Sequence, residues 1–153
     1  MERNVMGKLL EWKDRKGRKP LLLLGVRQCG KTYILKEFGN RYFEDVAYFY
    51  FEGNDALMSI FEYDLDVHRI VEELGRVARH QAILPGKTLV IFDEIQASSR
   101  AITSLKYFCE NMPELHIVAA GSLLGVSLKK DSVSFPVGKV DRIRMYQIGR
   151  AHV

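Results

Sequence analysis

Hydrophobic positions fall into short unbroken runs that alternate with segments of helical spacing. Lys19 to Gly25 (KPLLLLG) is an apolar run bounded by Pro20 and Gly25, as expected of a strand buried on both faces. Lys31 to Phe38 (KTYILKEF) has the spacing of a helix, and Gly39-Asn40 supplies its stop. Asp45 to Gly53 (DVAYFYFEG) is rich in aromatics and predicts a second strand. From Asp66, an N-cap residue, Val67, Ile70, Val71, Leu74, Val77 and Ala78 predict a helix with one buried face. Pro85-Gly86 turns the chain into a third buried strand, Thr88 to Glu94 (TLVIFDE). Ser98 or Ser99 then caps a helix whose stripe is Ile102, Leu105, Phe108 or Cys109, and Met112, closed by Pro113. Leu115 to Ser122 (LHIVAAGS) is a fourth apolar strand. Lys139 to Tyr146 alternates weakly through Val140, Arg142 or Ile143, and Met145, and predicts a fifth.

Strands that are continuously apolar and alternate with helices imply an α/β fold with a mostly parallel sheet covered on both faces. Such sheets bind ligands beyond the carboxyl ends of their strands. The candidate chemical residues sit at those ends.

Gly25-Val26-Arg27-Gln28-Cys29-Gly30-Lys31-Thr32 fits G-x-x-x-x-G-K-[ST] at every specified position. From average composition, a chance match somewhere in a chain this long is on the order of 1 in 200. The match also starts where a predicted buried strand ends and runs into a predicted helix, which is the context the motif requires. Gly25 and Gly30 allow a tight turn that aims successive backbone N–H groups at a polyanion, and the helix N-terminus adds to that field. Lys31 is placed to contact the β- and γ-phosphates, and the Thr32 hydroxyl to take one Mg²⁺ position. The whole loop from Gly25 to Thr32 is the expected nucleotide-binding segment. Arg27 and Gln28 occupy unspecified positions within it and receive no individual role, and Cys29 reads as a small side chain tolerated for packing.

Leu89 to Phe92 are apolar and are followed directly by Asp93 and Glu94. Carboxylates at the end of a buried strand need compensation, and a magnesium ion provides it. Asp93 is expected to hold Mg²⁺ opposite Thr32, and Glu94 to polarise the water that attacks the γ-phosphate. An acid placed directly after the metal-binding aspartate favours hydrolysis by water over transfer to an acceptor. Ser122, at the end of the fourth strand, is positioned to hydrogen-bond the γ-phosphate or that water if its strand lies beside the first.

Composition narrows the class without changing this picture. The chain has 153 residues, 47% hydrophobic and 27% charged, which is the profile of one globular domain and excludes a disordered segment. No apolar run approaches the roughly 20 residues a membrane span needs, and the N-terminus has no secretory pattern, so the expected compartment is the cytoplasm. Two cysteines give no disulfide framework, and four scattered histidines give no zinc site. The net charge of +4 lies at the ends: residues 1–20 hold 7 Lys/Arg against 3 acids, and residues 129–153 hold 6 against 2. Ends of this kind read as solvated flanks, with a nucleic-acid-binding surface as the weaker alternative.

RKPLLLLGVRQCGKTYILKEFG, LVIFDEIQ and IVAAGS…SFPVGKVDRIRMY together resemble the prokaryotic AAA-type ATPases, known chiefly as ATP-binding proteins, in which an ATPase core precedes an uncharacterised C-terminal domain. The resemblance runs from Leu9 to Tyr146, and its most specific marks are Arg27-Gln28 and Asp93-Glu94-Ile95-Gln96. It implies a P-loop three-layer sandwich with a five-stranded sheet of order 5-1-4-3-2, ATP and Mg²⁺ as ligands, and hydrolysis. Gly25, Gly30, Lys31 and Thr32 match the family's Walker A motif, Asp93 and Glu94 its Walker B motif, and Ser122 its sensor position. Gly138-Lys139 stands where many relatives have Gly-Arg, so a nucleotide-sensing arginine is not matched at that position, and Arg142 or Arg144 is only a weak substitute. The family also implies a homo-oligomer or protein partner, with an arginine finger from a neighbouring subunit. The expected organisation is a basic lead-in (1–19), an ATPase core (20–146) and a tail (147–153) that replaces a further domain. Ile148 to Val153 (IGRAHV) match the translation of a widely used sequencing adapter, so a non-native tail is expected, and the coding DNA decides it. The rival readings are a nucleotide-gated interaction module that turns over little, and a nucleic-acid-associated accessory ATPase.

Overall fold

The computed structural model describes residues 2–25, 30–79, 81–122, 136 and 138–145. Val26, Arg27, Gln28 and Cys29 of the glycine loop lie outside the described residues, as do Tyr146 and the tail 147–153. The elements run α1 (Glu2–Asp14), β1 (Leu21–Gly25), α2 (Lys31–Tyr42), β2 (Asp45–Tyr50), α3 (Asp55–Ile60), α4 (Val67–Glu73) continuing as a π-helical turn (Leu74–Arg79), β3 (Thr88–Asp93), a 3₁₀ turn (Ile95–Ala97), α5 (Ser99–Asn111), β4 (His116–Ser122) and β5 (Asp141–Met145). The strands form one sheet of order β2-β3-β4-β1-β5 in which every pairing is parallel. Read from the other edge, this is the expected order 5-1-4-3-2.

Alternate residues of each strand feed two separate cores, which makes the fold a three-layer sandwich. Leu22, Leu24, Phe49, Val90, Phe92 and Ile117 face α3, α4 and α5, joined there by an aromatic cluster of Phe51, Phe61 and Phe108. Leu21, Leu23, Leu89, Ile91, Val118 and Ile143 face α1 and α2 through Leu9, Trp12, Ile34, Leu35 and Phe38. Burying an aliphatic side chain of this size contributes about 1.5–3 kcal/mol. The four leucines of β1, split between the two cores, therefore tie both layers to the strand that ends in the glycine loop.

The basic lead-in includes a helix that the charge pattern hides. Val5, Leu9 and Trp12 of α1 are buried at i, i+4, i+7 spacing, and the Trp12 indole donates to the Lys19 carbonyl at 2.7 Å. His116, at the start of β4, packs edge-on against Trp12 and Phe43. Burial first, and then the neighbouring Arg18 charge, lower its pKa to about 4, so it is neutral at pH 7.

The stop expected at Gly39-Asn40 does not hold: α2 runs on to Tyr42, with Phe43 N–H donating to Gly39 O at 3.0 Å. Gly39 is there for packing. A Cβ at this position meets Val46 Cγ2 at 2.5 Å and Leu89 Cδ2 at 3.1 Å, so only glycine lets the helix approach β2 and β3 this closely. Gly39→Ala is therefore expected to lower stability by about 1–2 kcal/mol through overpacking, although the same change in an open helix stabilises by roughly 0.5–1 kcal/mol. Urea unfolding of the single variant and of Gly39→Ala with Val46→Ala measures it, and a single variant more stable than wild type contradicts the packing account.

β2 ends at Tyr50, three residues before Gly53, because Asn54 caps α3, its side chain accepting from Leu57 N–H. Asp66 caps α4 as expected, accepting from His68 N–H at 3.1 Å. Ser98, and not Ser99, caps α5 by accepting from Ala101 N–H at 3.0 Å. In the stripe of α5, Phe108 is buried and Cys109 only partly so. In β5, Ile143 and Met145 take the buried face and Arg142 and Arg144 are exposed.

Candidate functional site

Parallel pairing brings the carboxyl ends of β1, β4 and β3 side by side. Gly25 lies in register with Ser122, and Ala120 with Asp93. α2 starts beside them: Gly30 adopts a left-handed φ of 89° and Lys31 opens the helix. Glycine takes that conformation without steric cost. Gly30 contributes no side-chain cap and no acid lies in the first turn of α2, so no carboxylate of that turn offsets the helix's partial positive charge.

Lys31 is 6% exposed, and its Nζ donates to the Gly25 carbonyl at 3.3 Å, across the ends of the loop. The Thr32 hydroxyl donates to Asp93 Oδ2 at 2.7 Å, so the two residues 61 positions apart in sequence meet directly. Asp93 is 2% exposed. The Thr32 hydroxyl and the Tyr48 phenol donate to its Oδ2, and the Glu94 N–H to its Oδ1 at 2.9 Å. Burial first, and then the bond donated to Asp93, raise the Tyr48 pKa above the ordinary phenol value, so the phenol is the donor in that bond at neutral pH.

Glu94 departs from the expected strand. β3 stops at Asp93, and Glu94 turns at φ 54°, a left-handed conformation that costs a non-glycine residue roughly 1–2 kcal/mol. The chain then tightens into the 3₁₀ turn, and Gln96 Nε2 donates to Glu94 Oε1 at 2.5 Å. Ser122, 1% exposed, closes β4 at the same end of the sheet.

The structure thus gathers Gly25, Gly30, Lys31, Thr32, Asp93, Glu94 and Ser122 at the carboxyl end of the sheet. Tyr48 and Gln96 join them, and neither carried a role in the sequence reading. Gln96 belonged to the noted Asp-Glu-Ile-Gln run, whereas Tyr48 had no marker, because its closeness to Asp93 depends on β2 pairing with β3.

Among the described residues, no group of three or more His, Cys, Asp or Glu side chains is arranged to hold a metal ion. Thr32 and Asp93 nevertheless fit a cation that takes few protein ligands. Both offer hard oxygens, they touch each other, and Mg²⁺ commonly binds through one or two protein oxygens with water and phosphates completing its shell. Among the described residues, no helix is long and apolar enough to cross a membrane.

The sequence profile of the AAA domain family matches residues 17–149. No curated protein matches the chain. Among solved structures, that of C. elegans PCH-2 is similar, with 15% identity and a TM-score of 0.46 over 94% of this chain and 42% of that one. The chain thus spans less than half the length of that protein.

Proposed function

The chain belongs to the AAA domain family, a family of P-loop nucleotide-binding domains, and from that premise we propose that it binds ATP with Mg²⁺ at this end of the sheet and hydrolyses it to ADP and phosphate. One observation carries the reading: the hydroxyl that follows the motif's lysine, Thr32, hydrogen-bonds the buried carboxylate that ends β3, Asp93, with a second acid, Glu94, next in the chain. A stability role alone gives no reason to bury a carboxylate beside the Thr32 hydroxyl at the start of α2.

In this proposal the segment from Gly25 to Thr32, including Val26, Arg27, Gln28 and Cys29, wraps the phosphates with its backbone. Lys31 presents its ammonium to the β- and γ-phosphates. Thr32 and Asp93 are the residues that would hold Mg²⁺, which when bound neutralises phosphate charge. Tyr48 and the Glu94 N–H fix both oxygens of Asp93, so the carboxylate need not reorient when ligand arrives. Glu94 takes a proton from the attacking water as the water oxygen bonds to the γ-phosphorus and the bond to the β,γ-bridging oxygen breaks. Ser122 orients the γ-phosphate or that water. A neighbouring subunit supplies the remaining cationic contact.

Steady-state phosphate release by the full-length protein tests the proposal. Release that requires ATP and stops on adding EDTA is the expected result. Tight ATP binding without release would instead favour a nucleotide-gated module.

A further inference from the structure

The Asp93-Glu94-Ile95-Gln96 run contains one residue that neither the fold nor the proposed reaction accounts for. Asp93 meets Thr32 and Tyr48, Glu94 is the proposed base, and Ile95 is fully buried in the core beside α5. Gln96 is only 7% exposed, yet it is polar. Its Nε2 donates to Glu94 Oε1, while its Oε1 is buried and accepts no hydrogen bond among the described residues. Burying an amide with an unmet acceptor costs stability. An apolar side chain of similar length fills the same space without that cost.

The backbone is shaped to make the Glu94 contact. Glu94 turns left-handed, and Ala97 N–H donates to Glu94 O at 3.2 Å while Ser98 N–H donates to Ile95 O at 3.0 Å. This tight turn folds the side chain of Gln96 back onto the carboxylate two residues earlier. Ile95 in the core and Ser98 capping α5 hold the turn from both sides.

We propose that Gln96 is a positioning residue that fixes the Glu94 carboxylate where it meets the attacking water. The proposal rests on the hydrolytic reading above and deepens it by assigning a residue that acts only through Glu94. Without the amide, Glu94 sits on a strained backbone with its side chain free to rotate, and misplacing a reacting group by about 1 Å can cost on the order of 100-fold in rate. Nucleotide binding, which uses the glycine loop and Lys31, does not pass through Gln96.

The test uses the full-length protein and two variants. Gln96→Leu is expected to lower kcat about 10- to 100-fold, with KM and the ATP dissociation constant within about twofold of wild type. In Gln96→Glu the new side chain, when ionised, has no donor and repels Glu94; when protonated it regains an O–H donor. Its kcat relative to wild type should therefore climb as pH is lowered from 8 toward about 5. A merely structural glutamine predicts no such climb, and this ratio decides the matter if Gln96→Leu fails to fold. Unchanged or raised kcat in Gln96→Leu, equal losses in kcat and affinity, or a ratio flat with pH each overturn the proposal alone. Wild-type protein that binds ATP but releases no phosphate overturns the hydrolytic reading, and this proposal with it.

Discussion

Lys31→Ala is expected to weaken ATP binding by about 100-fold or more, roughly 3 kcal/mol at 1.4 kcal/mol per tenfold, with the fold retained. The magnitude follows from what is removed. Lys31 is 6% exposed, and its ammonium is held at the mouth of the loop by the Gly25 carbonyl. A cation fixed in partial burial interacts more strongly with phosphate than one in bulk water. Hydrogen bonds to charged groups contribute about 1.5–3 kcal/mol each, and a lysine between two phosphates makes more than one. Lys31→Arg should recover only part of the loss, because a planar guanidinium does not replace a compact ammonium in the same space. Isothermal titration with Mg-ATP, alongside a thermal melt, reads both variants. A folded Lys31→Ala protein with wild-type affinity removes the nucleotide-site assignment.

The second large effect separates binding from turnover. Glu94→Gln should leave Mg-ATP affinity within about threefold while cutting phosphate release by 10²- to 10⁴-fold, the range associated with loss of a general base. The amide is nearly isosteric, and its oxygen can still accept from Gln96 Nε2, so the 3₁₀ turn and the geometry around Asp93 persist. What disappears is the ability to take a proton from water. Affinity and rate falling together would mean that Glu94 holds the nucleotide, and turnover near wild type would place the base elsewhere.

Much of this site was legible before any coordinates because its chemistry is local in sequence. A glycine loop followed by lysine and threonine, and a carboxylate pair at the end of an apolar strand, each occupy a few consecutive residues. The same locality explains the strands: β1, β3 and β4 are buried on both faces and so are unbroken apolar runs. Elsewhere a local signal carries two meanings. Gly39 looked like a helix stop, since glycine favours that position, but its missing Cβ serves a close helix–sheet approach. The N-terminal stretch looked like a solvated basic flank because seven cations mask the three apolar residues that dock α1. The short helix α3 was missed because six residues carry too little periodicity to register.

Tyr48 and Gln96 mark the boundary between the two kinds of information. Tyr48 carries no motif and Gln96 only closes the Asp-Glu-Ile-Gln run, and the contact each makes comes from what the chain brings beside it: Tyr48 from the pairing of β2 with β3, and Gln96 from a left-handed turn at Glu94. The sequence by itself determined the fold class and set the glycine loop and the two acids at strand ends, because buried strands and tight turns write their requirements into neighbouring residues. Only the tertiary structure decided that Thr32 touches Asp93, that a phenol shares that carboxylate, and that a buried amide holds Glu94. Those contacts join positions set together by sheet order and backbone curvature, which side-chain periodicity along one strand or helix does not encode.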